Sequence, residues 1–213
     1  SAMTRSIPLE KGLKDCLVVW SMNGEALRPE QGYPVRLVVP GWEGNMWVKW
    51  LRRIEVGDEP WHQREETSKY TDLLADGRSR RFTWIMDAKS VVTNPSPQAP
   101  MKHKGPNVLS GLAWSGRGTI KRVDVTIDGG KTWTTARLSG PVLPMSLTRF
   151  YLDMDWDGRE LLIQSRAMDE TGYVQPTKAE LRAVRGVNSI YHNNGIQTWL
   201  VRSDGEAENV EIS

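Results

Sequence analysis

The sequence predicts a mainly β protein in two parts: a mixed α+β first part that does not close a core of its own, then an immunoglobulin-like β-sandwich. Three observations carry this. Beyond residue 95, short apolar runs punctuated by turns recur at sandwich spacing, about seven strands in all. Before them, strands occur without evident partners, and a span of about 85 residues with so few elements buries too little surface to stand alone. Between the two, Pro95, Pro97, Pro100 and Pro106 crowd one stretch that reads as a linker. The boundary is therefore expected near 95, with parts 4–94 and 95–213.

The elements follow in order. Ser1-Ala2-Met3 reads as a cloning remnant and is set aside. Pro8 near the start of 7–13 favours a short helical turn. The apolar run 16–20 reads as a strand, and Asn23-Gly24 as a tight turn. Residues 33–39 are β-rich between breakers, 41–45 form a loop, and 47–56 read as another strand. In the second part, 108–114 is a strand. In 120–127, Val123, Val125 and Ile127 alternate with Arg122, Asp124 and Thr126, as in a half-buried strand. Asp128-Gly129-Gly130 turns it back into 131–138 as a hairpin. Segments 148–156, 161–168, 181–184 and 197–202 complete the strands.

Composition narrows the chemistry. A formal charge of +2 supplies no broad positive field for nucleic acid or an anionic bilayer, so any anion must be read locally. No apolar run approaches the ~20 residues of a membrane span, and no signal peptide opens the chain. One cysteine, Cys16, excludes an internal disulfide framework, and its apolar setting suits a structural thiol. His62, His103 and His192 lack partners at ligand spacing, so no protein-held metal site is expected. Ten Trp against two Phe is unusual. The cluster Trp42, Trp47, Trp50 and Trp61 suits either core filling or a stacking platform, which leaves a carbohydrate-binding sandwich as an alternative. Lys49, between Val48 and Trp50 in an expected strand, is a charge that needs a reason.

The stretch Gly32-Tyr33-Pro34-Val35-Arg36-Leu37-Val38-Val39-Pro40-Gly41-Trp42 through Met46-Trp47-Val48-Lys49-Trp50-Leu51 resembles the end of the molybdopterin-binding domain in the sulfite oxidase family. Leu112-Ala113-Trp114-Ser115-Gly116, Asp128-Gly129-Gly130-Lys131-Thr132-Trp133, Tyr173-Val174-Gln175-Pro176 and Arg185-Gly186-Val187 resemble that family's dimerisation domain. Arg64-Glu65-Glu66-Thr67-Ser68-Lys69-Tyr70-Thr71 and Val187-Asn188-Ser189-Ile190-Tyr191-His192 are similar to the molybdenum subunits of bacterial Sox sulfur dehydrogenases.

The resemblance implies an α+β cofactor-domain remnant followed by a dimerising sandwich. It also implies a molybdenum-molybdopterin cofactor in the parent enzyme, a c-type cytochrome partner, a homodimer and a periplasmic setting. The substrate would be sulfite, another sulfur oxyanion or carrier-bound sulfur. Gln31, Arg36, Trp47, Val48 and Lys49 match positions at the pterin. Tyr70 matches the active-site tyrosine, and Arg185 the arginine of the oxyanion pocket, its bland alternative being a surface ion pair. The family's metal-binding cysteine lies upstream of anything present, so the expectation is a C-terminal fragment that binds no cofactor alone. An inactive homodimerisation module is the alternative.

Overall fold

The computed structural model describes residues 3–187 and 191–212. It divides into two compact units. The first holds the described residues up to Met86 together with Tyr191 and His192. The second runs from Asp87 to Val187 and resumes at Asn193. No helix among the described residues is long and apolar enough to cross a membrane.

In the first unit, helix α1 (Leu9–Lys14) begins directly after Pro8. Strand β1 (Leu17–Val19) pairs antiparallel with β4 (Arg36–Val38), Leu17 opposite Val38 and Val19 opposite Arg36. Between them lies a hairpin of β2 (Ser21–Met22) and β3 (Glu25–Ala26). Its turn residues Asn23 and Gly24 have φ of 54° and 81°, the left-handed pair that suits the twist of a two-residue hairpin. Helix α2 (Arg64–Thr67) and strands β5 (Asp72–Leu73) and β6 (Ser79–Arg80) complete the unit.

Its core is small. Val39, Trp42 and Met46 are buried, with Ile7, Cys16, Leu37, Trp47, Trp84 and Ile85 packed against them. Trp42 stacks on Trp84 at 4.7 Å between centroids. Leu13, Trp20, Ile54 and Val56 stay exposed, as expected of a part that does not close its own core. The strand expected over 47–56 does not form. Leu37 and Leu51 exchange single bonds with this segment and β4's approach, Leu37 N–H to Val48 O and Leu51 N–H to Val35 O. Trp50, at φ 50°, then breaks the extended path. Lys49 is consequently an exposed side chain on an irregular segment, so burial within a strand does not explain it.

The second unit is a two-sheet sandwich. One sheet orders β11 (Arg137–Leu138), β12 (Thr148–Trp156), β8 (Gly105–Trp114) and β7 (Lys89–Asn94). The other orders β10 (Thr134–Thr135), β9 (Ile120–Thr126), β13 (Leu161–Asp169), β14 (Thr198–Val201) and β15 (Ala207–Val210). Both sheets send side chains into one core that includes Leu109, Phe150, Val123, Val125, Ile163 and Val201. Gly111 admits Phe150 from the paired strand, since a Cβ there would lie 2.3 Å from the ring.

Two expectations change here. Segment 181–184 lies in a helix, α3 (Lys178–Arg185), not a strand. Thr177 and Glu180 close a reciprocal capping box that fixes its start. The proline stretch is a loop inside the sandwich rather than the point where the units part. Strand β7 precedes it and already pairs with β8, Val92 opposite Gly111, while the division falls between Met86 and Asp87.

Candidate functional site

The residues expected at the pterin gather in the first unit. Pro29–Gln31 form a single 3-10 turn that ends on Gly32 at φ 112°. A Cβ at Gly32 would lie 3.0 Å from the Lys49 Cβ and 3.2 Å from the Arg36 Cβ, so the two basic stems flank a bare backbone. Only glycine fits there, by both space and φ. Arg36, on β4, donates from Nη1 to the Gln31 carbonyl at 2.9 Å. Its guanidinium lies 5.7 Å from the Trp47 ring centroid. The Lys49 ammonium donates to the Glu30 carbonyl at 2.6 Å. Trp47 is fixed through its own N–H, which donates to the Trp42 carbonyl at 3.1 Å, and Val48 is fixed by accepting from Leu37. Gln31 spends its side-chain oxygen on the Arg28 N–H at 2.9 Å.

Arg36 Nε is buried with no hydrogen-bond partner. An unmatched buried N–H costs about 1–3 kcal/mol, so this donor fits an acceptor that the protein does not itself supply. Neither Arg36 nor Lys49 has a carboxylate partner among the described ion pairs. The donor set therefore suits a phosphate, with a guanidinium and a point charge on stems that flank Gly32. It fits the anionic end of a pterin cofactor. It offers nothing to a metal: no group of three His, Cys, Asp or Glu among the described residues could hold one. Cys16 packs against the small core, and burial pushes its thiol above the usual range.

Tyr70 lies in the same unit with a different set of neighbours. It follows α2, whose buried Glu66 accepts from the Ser6 hydroxyl at 3.1 Å and the Gln63 N–H at 3.3 Å. Its φ of 53° is left-handed, a conformation that costs a non-glycine residue about 1–3 kcal/mol and persists only where neighbours enforce it. Those neighbours are the Thr83 hydroxyl on its carbonyl at 3.3 Å, the Arg5 guanidinium 5.0 Å from its ring centroid, and the Tyr191 ring at 4.4 Å.

Arg185 belongs to the second unit, in the last turn of α3. It is 8% exposed, so it is not a surface cation. Its Nη2 meets Asp87 Oδ2 at 3.1 Å, while Arg117 donates from Nε and Nη2 to Asp87 Oδ1 at 3.1 and 2.9 Å. Two guanidinium groups thus meet one buried carboxylate. Nearby, burial pushes the Tyr173 phenol upward, and its oxygen accepts from Asn194 at 3.1 Å.

Asp87 and Glu43 were not foreseen. A lone acidic residue beside an aromatic core segment carries no sequence signal of its own. Glu43 pairs with His192 Nδ1 at 2.8 Å. Of the clustered tryptophans, Trp42 is buried, and only Trp50 and Trp61 are largely exposed, which leaves no contiguous stacking platform of four rings.

Comparison with known proteins bears on the family of the chain. The family profile described as the Mo-co oxidoreductase dimerisation domain matches residues 80–199. That described as the oxidoreductase molybdopterin binding domain matches residues 1–65. The chain belongs to the sulfite oxidase family of molybdopterin enzymes. Sulfite oxidase of Gallus gallus is 36% identical over 203 residues, covering 86% of this chain and 44% of the relative. An NADH nitrate reductase of Solanum lycopersicum is 31% identical, covering 78% and 21%. The crystal structure of the sulfane dehydrogenase SoxCD from Paracoccus pantotrophus superposes with a TM-score of 0.95 at 67% identity, covering 97% of this chain and 54% of that one. The chain thus spans about half the length, or less, of these relatives. Within the sulfite oxidase family's two profiles, the molybdopterin-binding span takes in Gln31, Arg36, Trp47, Val48 and Lys49. The dimerisation span takes in Asp87, Arg117 and Arg185, and Tyr70 falls between the two.

Proposed function

We propose that this chain serves a molybdenum-dependent dehydrogenase that oxidises sulfite or a carrier-bound sulfane sulfur and passes electrons to a c-type cytochrome in the periplasm. The observation that carries the reading is the 67% identity to a sulfane dehydrogenase across both units. When bound, the molybdenum-pterin group supplies two-electron, oxygen-transferring chemistry at sulfur. The chain's own residues bind and orient. Arg36, with its unmatched Nε, and Lys49 would hold the anionic end of the pterin, and Gln31, Trp47 and Val48 would line the wall beside it. Tyr70 donates its phenolic proton to a substrate oxygen and can pass a proton there. Arg185 lends positive charge to an oxyanion, with Asp87 and Arg117 fixing its orientation.

The phosphate cradle is tested first without any cofactor. Inorganic phosphate should raise the melting midpoint of the chain, the more so at low salt, because two adjacent cations repel until an anion joins them. Arg36→Ala and Lys49→Ala should each abolish that rise. A phosphate response undiminished in both variants rules the cradle out. In the molybdenum-loaded enzyme the same variants should lower cofactor content, and turnover of sulfite or sulfane sulfur with cytochrome c should fall in proportion.

A second reading is favoured by the match of the dimerisation domain to residues 80–199: the isolated chain acts as a homodimerising module. Sedimentation at micromolar concentration should then show a dimer. A monomer there removes that reading and leaves the first untouched.

A further inference from the structure

Resting on the reading of Tyr70 above, we propose that Tyr191 is a positioning residue that fixes the Tyr70 ring, and that the buried His192–Glu43 pair sets Tyr191 in place. The argument starts from the strained backbone of Tyr70, whose left-handed φ needs enforcing contacts. Three reach it: the Arg5 guanidinium, the Tyr191 ring and the Thr83 hydroxyl.

Each of the three is itself tied to the short segment that follows Trp42. Arg5 Nε donates to the Asn45 carbonyl at 2.9 Å, which ties the guanidinium near Tyr70 to this segment. Tyr191 is bonded in sequence to His192, which is 4% exposed and holds Glu43 Oε1 at 2.8 Å. The other Glu43 oxygen lies 3.5 Å from the Thr83 hydroxyl and 3.4 Å from Asn45 Nδ2. Glu43 is in turn anchored through its backbone N–H on the Trp84 carbonyl at 2.7 Å, beside the stacked Trp42–Trp84 pair. The neighbours of Tyr70 therefore converge on Glu43 and the adjacent Asn45.

Tyr191 is the member of this set best placed to act by orientation. It comes from far along the chain, yet it groups with the first unit. Its ring meets Tyr70 at a 40° tilt, and it is 38% exposed, so it contributes little to core burial. A phenol that must present its hydroxyl to a substrate gains from a neighbour that removes its alternative rotamers.

The test uses the full chain with 3-fluorotyrosine at position 70 alone. In fluorine NMR, Tyr191→Leu should shift that resonance and narrow its line, with the melting midpoint almost unchanged. Tyr191→Phe, which keeps the ring, should restore the parent spectrum. His192→Gln should shift the signal in the same direction as Tyr191→Leu. An unmoved signal in Tyr191→Leu overturns the proposal, and one unmoved only in His192→Gln overturns the role of the pair. In the molybdenum-loaded enzyme, Tyr191→Leu should lower kcat about 10- to 100-fold with KM nearly constant, since misplacement of a reacting group has effects of that order. If Tyr70→Phe leaves turnover intact while Tyr191→Leu still moves the Tyr70 signal, the catalytic reading of Tyr70 falls and the contact stands. If Tyr70→Phe lowers turnover and Tyr191→Leu changes neither signal nor rate, the catalytic reading stands and the positioning proposal falls.

Discussion

Asp87 determines what a substitution at Arg185 will do. A surface pair is worth ~0–1 kcal/mol, but this carboxylate and guanidinium are both more than nine-tenths buried. Removing one member of a buried pair costs about 3–5 kcal/mol because the other is left uncompensated. Here Arg117 remains on Asp87, which favours the lower end. Arg185→Met should thus lower stability in chemical denaturation by about 3 kcal/mol, on the scale of a broken buried pair. A loss of only a few tenths of that would show that the partners left to Asp87 satisfy it. An Arg185 variant is therefore a poor probe of substrate binding on its own, and Arg185→Lys, which keeps the charge, is the better one. The sequence showed Arg185 only through its resemblance to a family position. Asp87, one partner, lies 98 residues away, and no local pattern announces such a pairing. Cys16 was legible only in part: it packs against the small core but is half-buried, and its apolar neighbours Leu17 and Val18 are exposed. With burial holding its thiol high, alkylation by iodoacetamide at neutral pH should be slower than for a free thiol and should quicken only in alkali.

Turn chemistry was the most readable level among the elements. Asn23-Gly24 and Asp128-Gly129-Gly130 both turn the chain where expected, since their left-handed φ values suit few other residues. Asp128 does more than permit its turn. Its carboxyl lies well below the usual carboxylate range, chiefly because the Thr126 hydroxyl donates to it at 2.6 Å, with the Thr132 hydroxyl and the Thr132 and Lys131 N–H groups adding to this. A carboxyl depressed in the folded state contributes stability that is present above the unfolded value of about 3.9 and lost as pH falls through the folded value. Asp128→Asn should therefore be less stable than the parent at neutral pH, and the difference should shrink in strong acid. A difference that stays constant down to the acid limit would contradict this. Strand 181–184 was misread because Leu181, Ala183 and Val184 look β-like in a four-residue window. The signal that corrects it lay just upstream, in Thr177-Lys178-Ala179-Glu180, a capping box. Thr177→Ala should cost about 1 kcal/mol, the usual loss of such a cap. The irregular segment beyond Trp47 had no such marker, because single hydrogen bonds to Val48 and Val35 replace a ladder.

For the whole molecule, the two units differ in how much holds them together. The sandwich closes around sixteen buried apolar residues among those described. The first unit closes around three, with Leu13, Leu17, Trp20, Ile54 and Val56 left in solvent. Since burial supplies most of the drive to fold, the first unit should open at lower temperature or denaturant than the second. The sequence hinted at this inequality through its unpartnered early strands. It misplaced the join at the proline stretch, because prolines punctuate loops within a domain as readily as linkers between domains. Hydrogen exchange followed by mass spectrometry should resolve the difference. Amides of β1 and β4, which share only a three-residue ladder, should exchange well before those of β8 and β12, which pair over nine residues. Near-ultraviolet dichroism from the stacked Trp42–Trp84 pair should fade in the same early step, ahead of the main loss of far-ultraviolet signal. A single transition that removes both signals together, with β1 and β12 exchanging at one rate, would show that the small core of the first unit is not an independent step in unfolding.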